Sequence, residues 1–125
     1  MQAEARPVED GATDGATDDI WIDVCAFGDV IEGEAIRVET ADLVLAVFNL
    51  AGRIHVIDDA CTHGPGSLSE GCIDGETVEC DFHGGAFNIC TGEVAAPPCM
   101  VPIRTYAVRV DGGRILVDPS QRAQP

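Results

Sequence analysis

At 125 residues and 46% hydrophobic side chains, the chain is sized for one domain built around a single core. Its 22 acidic residues outweigh 7 basic ones, for a formal net charge of -15, so it lacks the basic footprint that nucleic acid requires. No apolar run approaches the roughly 20 residues of a membrane-spanning helix. The acidic start "MQAEARPVEDGATDGATDD" also lacks the basic and apolar stretches of a signal peptide, which predicts a cytoplasmic protein.

In chain order, residues 1–19 are poor in apolar side chains and carry a tandem "GATDGATD", the composition of a disordered acidic tail. From Ile20 the pattern changes to short β-rich runs separated by turn residues. "IWIDVCAF" (20–27), "EAIRVET" (34–40), "DLVLAVFNL" (42–50) and "GRIHVID" (52–58) are predicted strands. Leu50-Ala51-Gly52-Arg53 is placed to close a hairpin between the last two. Residues 59–100 differ in composition, being rich in glycine and proline; "AAPPCMVP" (95–102) predicts a stiff segment that covers a site or serves as a rigid connector. "TYAVRVD" (105–111) and "GRILVD" (113–118) follow, joined at Asp111-Gly112-Gly113, a strong tight-hairpin signal. No window shows a convincing helical period. The predicted organisation is all-β, an antiparallel domain over 20–118 with an insert at about 59–100 and a C-terminal tail over 119–125.

The insert holds the chemistry. Cys61-x-His63 and Cys80-x-x-His83 each pair one thiol with one imidazole, and 16 residues lie between His63 and Cys80. Two thiolates and two neutral imidazoles can bind one zinc ion or hold a [2Fe–2S] cluster. Zinc sites usually pair two nearby cysteines and then two nearby histidines. Two equivalent mixed loops suit a binuclear cluster better, with both thiolates on one iron and both imidazoles on the other. The remaining cysteines, Cys25, Cys72, Cys90 and Cys99, have no histidine partner and no C-x-x-C spacing, and read as small buried hydrophobes. A disulfide scaffold does not suit a cytoplasmic chain.

Enzymatic chemistry within this chain is not expected. Of its three histidines, two belong to the Cys/His pairs, and His55 lies in a strand pattern. A mononuclear iron held by two histidines and a carboxylate therefore cannot be built. There is no G-x-G-x-x-G nucleotide fingerprint and no nucleophile motif, so no catalytic residue is assigned.

Cys61-Thr62-His63-Gly64 and Cys80-x-x-His83-Gly84 resemble the two boxes of Rieske iron–sulfur proteins. The likeness continues through Phe87, "TGE" (91–93), Pro97, Pro98, Pro102, Tyr106 and the closing hairpin, so it covers most of 20–118. At this length the chain is most similar to the Rieske ferredoxins of bacterial aromatic-ring-hydroxylating dioxygenase systems. The resemblance implies the Rieske fold, a β-sandwich or barrel-like base domain with an inserted cluster-binding subdomain. It also implies one [2Fe–2S] cluster, with Cys61 and Cys80 on the inner iron and His63 and His83 on the outer one. High-potential members carry an extra cysteine in each box, joined as a disulfide, and a serine near the second histidine; here those positions are Gly66, Phe82 and Gly85. The resemblance thus implies a potential at the low end of the Rieske range.

The function implied is that of a one-electron carrier between a flavin-dependent NAD(P)H reductase and a terminal Rieske oxygenase. Two other readings stand beside it: a Rieske subunit of another multicomponent redox enzyme, and a zinc-stabilised interaction module. The acidic surface suits basic patches on partner proteins, or serves solubility alone.

Overall fold

The computed structural model describes residues 21–40, 42–62, 66–80, 85–97 and 101–120. In chain order its strands are β1 (Ile22–Ala26), β2 (Ala35–Glu39), β3 (Val44–Leu50), β4 (Arg53–Asp58), β5 (Cys72–Asp74), β6 (Thr77–Glu79), β7 (Ala86–Asn88), β8 (Val94–Ala96), β9 (Thr105–Asp111) and β10 (Arg114–Asp118). Helix among the described residues is confined to two 3-10 turns, Phe27–Asp29 and Leu68–Glu70. The predicted acidic tail and the last five residues lie outside the described residues, as does Cys99.

Six strands form one antiparallel sheet in the order β1-β10-β9-β4-β3-β2, and its two outer strands approach each other, so the sheet curls into a nearly closed barrel. Two hairpins fix its register. Leu50 pairs with Arg53, leaving Ala51 (φ 56) and Gly52 (φ 89) as a two-residue turn. Asp111 pairs with Arg114 across Gly112 (φ 60) and Gly113 (φ 80). Both turns have the left-handed central residues that match strand twist. Ala51 has no glycine's freedom there, and the buried Asn49 braces the turn. Its side-chain oxygen accepts from the Gly52 amide at 2.8 Å, and its amide nitrogen donates to the Val30 carbonyl at 3.0 Å.

The continuous apolar run of β3 is buried on both faces. Leu45 and Val47 point into the barrel with Val56, Tyr106, Ile115 and Val117. Ala46 and Phe48 point outward into a second core with Ile57, Leu68, Val78, Phe87, Ile89 and Ile103. Strand alternation produces this division, since successive side chains leave opposite faces. The sequence signal for a strand covered on both sides is an unbroken apolar stretch, and "VLAVF" is one.

What covers the outer face is a second antiparallel sheet, β5-β6-β7-β8, inserted in the chain between the neighbouring strands β4 and β9. The glycine- and proline-rich composition had predicted loops here. Its strands are three residues long, too short for period-2 alternation to show in the sequence. Val94–Ala96 is also strand, so the stiff segment expected over 95–102 begins as the edge of this sheet. Gly92 (φ 82) clamps the insert to the barrel, accepting from the Ile103 amide at 2.8 Å. A Cβ at Gly92 would collide with the Ile103 carbonyl and the Thr105 methyl.

Cys25 is buried in the barrel, as its type suggests. Two other cysteines depart from that expectation. Cys72 is exposed, because β5 is the outer strand of the small sheet. Cys90 is half-buried in the turn after β7, beside His55 of β4.

Candidate metal centre

Two loops of the inserted region are built alike. The first spans residues 61–66 and is bounded by the isolated bridge between Ala60 and Ser67. The second spans 80–85 and is the turn of the β6–β7 hairpin, bounded by the Glu79–Ala86 pair. In each, the leading cysteine donates its amide hydrogen to the closing glycine carbonyl: Cys61 to Gly66 at 3.1 Å, Cys80 to Gly85 at 2.6 Å. Both cysteines are buried, at 5% and 2% exposure, and belong to the same apolar core between the sheets. The structure therefore brings Cys61 and Cys80 into one core at the roots of matching loops. His63 and His83 lie outside the described residues.

Several contacts hold the first loop. Asp59, 4% exposed, accepts from the Ser67 hydroxyl at 2.7 Å and from the Ser69 amide at 2.9 Å. Arg37 of β2 stands 3.4 Å from the same carboxylate. The Thr62 hydroxyl donates to the Val101 carbonyl at 2.7 Å, joining the loop to the far end of the proline-rich segment. One residue earlier, Asp58 accepts from the buried Tyr106 hydroxyl at 2.5 Å. Burial first, and then the Asp58 carboxylate, push the Tyr106 phenol well above its ordinary value. Sequence reasoning missed Asp59, Ser67 and Ser69. The available signal was an Asp before a glycine-rich loop and a Ser-x-Ser after it, the residue types that bond local backbone.

His55 and Cys90 meet at the seam between barrel and insert, with sulfur and Nε2 3.8 Å apart. Burial raises the Cys90 thiol and Glu76 adds to this; burial lowers the His55 imidazole and Arg53 adds to that. Both shifts favour the neutral form, which suits a seam contact rather than a reactive thiolate.

A metal centre fits the described half of this site. Two thiols set in one apolar core, at the roots of glycine-closed loops, are poised as soft ligands with a protected inner side. The Rieske [2Fe-2S] domain family model matches residues 20–107.

The chain belongs to the Rieske [2Fe-2S] domain family.

It is 46% identical over 99 residues to ferredoxin CarAc of Metapseudomonas resinovorans, covering 78% of this chain and 92% of that one. It is 44% identical over 102 residues to the 3-phenylpropionate/cinnamic acid dioxygenase ferredoxin subunit of Escherichia coli, covering 81% and 94%. Among solved structures, a chain in the complex of reduced oxygenase and oxidized ferredoxin of carbazole 1,9a-dioxygenase superposes with a TM-score of 0.76 at 41% identity, covering 86% of this chain and 99% of that one. The fold is that of Rieske ferredoxins, and the cofactor it supports is an iron–sulfur group of Rieske type. No helix among the described residues is long and apolar enough to cross a membrane.

Proposed function

We propose that the protein is a one-electron carrier of an aromatic-ring-hydroxylating dioxygenase system. It takes electrons from a flavin-dependent NAD(P)H reductase and delivers them to a terminal Rieske oxygenase. Residues 20–118 are its working domain, about 59–100 the cluster-binding part, and 1–19 and 119–125 are tails. The observation that carries this reading is the pair of matched loops rooted at Cys61 and Cys80, in a chain whose relatives are ferredoxin components of such systems.

In this reading Cys61 and Cys80 hold one iron of a [2Fe–2S] cluster as thiolates, and His63 and His83 hold the other as neutral imidazoles. The bound cluster supplies reversible one-electron chemistry, with histidine ligation raising its potential above the roughly −400 mV of all-cysteine plant-type clusters. The chain's own contribution is placement. The apolar core around both cysteines keeps water from the sulfur side. The net charge of -15 raises the encounter rate with basic partner surfaces. The protein is an electron-transfer component and has no catalytic residues of its own.

Iron and sulfide analysis with electron paramagnetic resonance tests this directly. The reading predicts equal iron and acid-labile sulfide, a red-brown oxidised protein and a Rieske signal on reduction. A colourless protein containing zinc would overturn it in favour of a zinc-stabilised module.

A further inference from the structure

Asp59 stands at the junction of β4 and the first loop, and the partners of its carboxylate lie on both sides of it. The Ser67 hydroxyl donates to Oδ2 at 2.7 Å, the Ser69 amide to Oδ1 at 2.9 Å, and the Arg37 guanidinium lies 3.4 Å from Oδ2. The Ser67 and Ser69 hydroxyls are themselves 3.0 Å apart. Backbone bonds repeat the tie: the Asp59 amide donates to the Val44 carbonyl at 3.0 Å, and the Leu68 amide donates to the Asp59 carbonyl at 2.8 Å. Asp59 thus fastens the outgoing end of the loop (residues 67–69) to its incoming end, and both to β3. Every side-chain partner is a donor, which suits an acceptor-only carboxylate. An amide in its place would have to turn its NH2 toward one of them.

We propose that Asp59 is a positioning residue that fixes the first loop and sets the potential of the group held there. This rests on the reading that Cys61 ligates a Rieske cluster. Asp59 precedes Cys61 by two residues, so the two Cα atoms are at most about 7.6 Å apart. A buried negative charge on the residue two before Cys61 disfavours the arrival of an electron, and burial limits its screening. Arg37, with its side chain 49% exposed, offsets part of that charge and also pairs with Glu39 at 2.5 Å. Removing the carboxylate charge and removing its guanidinium partner should therefore act with opposite sign. A tether that held the loop and nothing more would not produce that reversal.

The test is a redox titration of the holoprotein, followed by paramagnetic resonance, on Asp59→Asn, Arg37→Gln and Ser67→Ala, alongside iron release to a chelator. Asp59→Asn should favour reduction about threefold to tenfold, the upper figure being about 59 mV for one electron. Arg37→Gln should disfavour it about twofold to threefold, its screening by solvent making the effect smaller. Ser67→Ala keeps the charge and removes one tether, so it should leave the potential in place and speed iron release. If Asp59→Asn fails to retain its cluster, the tether is confirmed, and Arg37→Gln still decides the charge role. Wild-type potentials in both Asp59→Asn and Arg37→Gln, or shifts of the same sign, would overturn the inference while leaving the cluster reading intact. A wild-type protein with no Rieske signal would overturn that reading and this inference with it.

Discussion

Cys80 donates its amide hydrogen to the carbonyl of Gly85 at 2.6 Å, and this closure repeats the one that joins Cys61 to Gly66. The repetition means that two segments far apart in sequence, "CTHGPG" and "CDFHGG", fold into loops of the same span, each starting at the apolar core. In the sequence, His63 falls within the first of these segments and His83 within the second. Replacing His83 by alanine should abolish or strongly alter the Rieske-type paramagnetic signal of the reduced protein, and His63→Ala should do the same. His55→Ala, at the seam with Cys90, should leave the signal unchanged. An intact signal in the His83 variant would refute the ligand assignment.

Tyr106 is the protein's one tyrosine, so its ionisation can be read without interference from others. Burial and its bond to Asp58 hold the phenol protonated well above the ordinary value near 10. Below pH 10 both folded and unfolded chains keep this proton. Above it the unfolded chain releases the proton while the fold retains it, so Tyr106 contributes stability below pH 10 that is lost as pH rises further. Difference absorbance near 295 nm should show less phenolate at pH 10.5 in the folded protein than in denaturant. A folded-state midpoint near pH 10 would contradict the placement of Tyr106.

Much of the barrel was legible in the sequence. Asp111-Gly112-Gly113 and Ala51-Gly52 name their hairpins because left-handed turn residues have few alternatives. The run at 42–50 was legible as a strand, while its burial between two cores emerged only with the fold. The small sheet was not legible, because strands such as Thr77–Glu79 are too short to display alternation. The exposure of Cys72 was hidden for the same reason, since an edge can be recognised only once the sheet is. At the site, the Cys/His spacing singled out Cys61 and Cys80, which the structure sets in one core. Asp59 stayed invisible because its partners, Ser67, Ser69 and Arg37, are assembled by the fold from both sides of the loop and from another strand.

Gly92 and Gly33 separate two costs of a glycine replacement. Both have left-handed φ, 82 and 86, but a Cβ at Gly33 meets nothing within 4 Å while one at Gly92 meets the Ile103 carbonyl. Gly33→Ala should cost about 1 kcal/mol, the backbone penalty alone. Gly92→Ala adds a steric collision and should cost about 2–4 kcal/mol, measured by chemical denaturation. Equal losses would show that the clamp between the insert and β9 is not tight.

The potential should lie near the lower Rieske limit of about −150 mV, because Gly66 and Phe82 cannot form the disulfide of high-potential members and Gly85 offers no hydroxyl. Protein-film voltammetry at neutral pH checks this. A midpoint above about +100 mV would show that other donors in the two loops replace the missing ones.

Single-turnover transfer tests the central claim most directly. The protein is reduced anaerobically, freed of reductant and mixed in a stopped-flow instrument with the oxidised terminal oxygenase of its dioxygenase system. One electron per chain should pass to the oxygenase, followed by the return of the oxidised Rieske spectrum, and the protein without oxygenase should leave aromatic substrate unchanged. A chain that stays reduced in the presence of its oxygenase, or that oxidises substrate unaided, would contradict its assignment as an electron carrier.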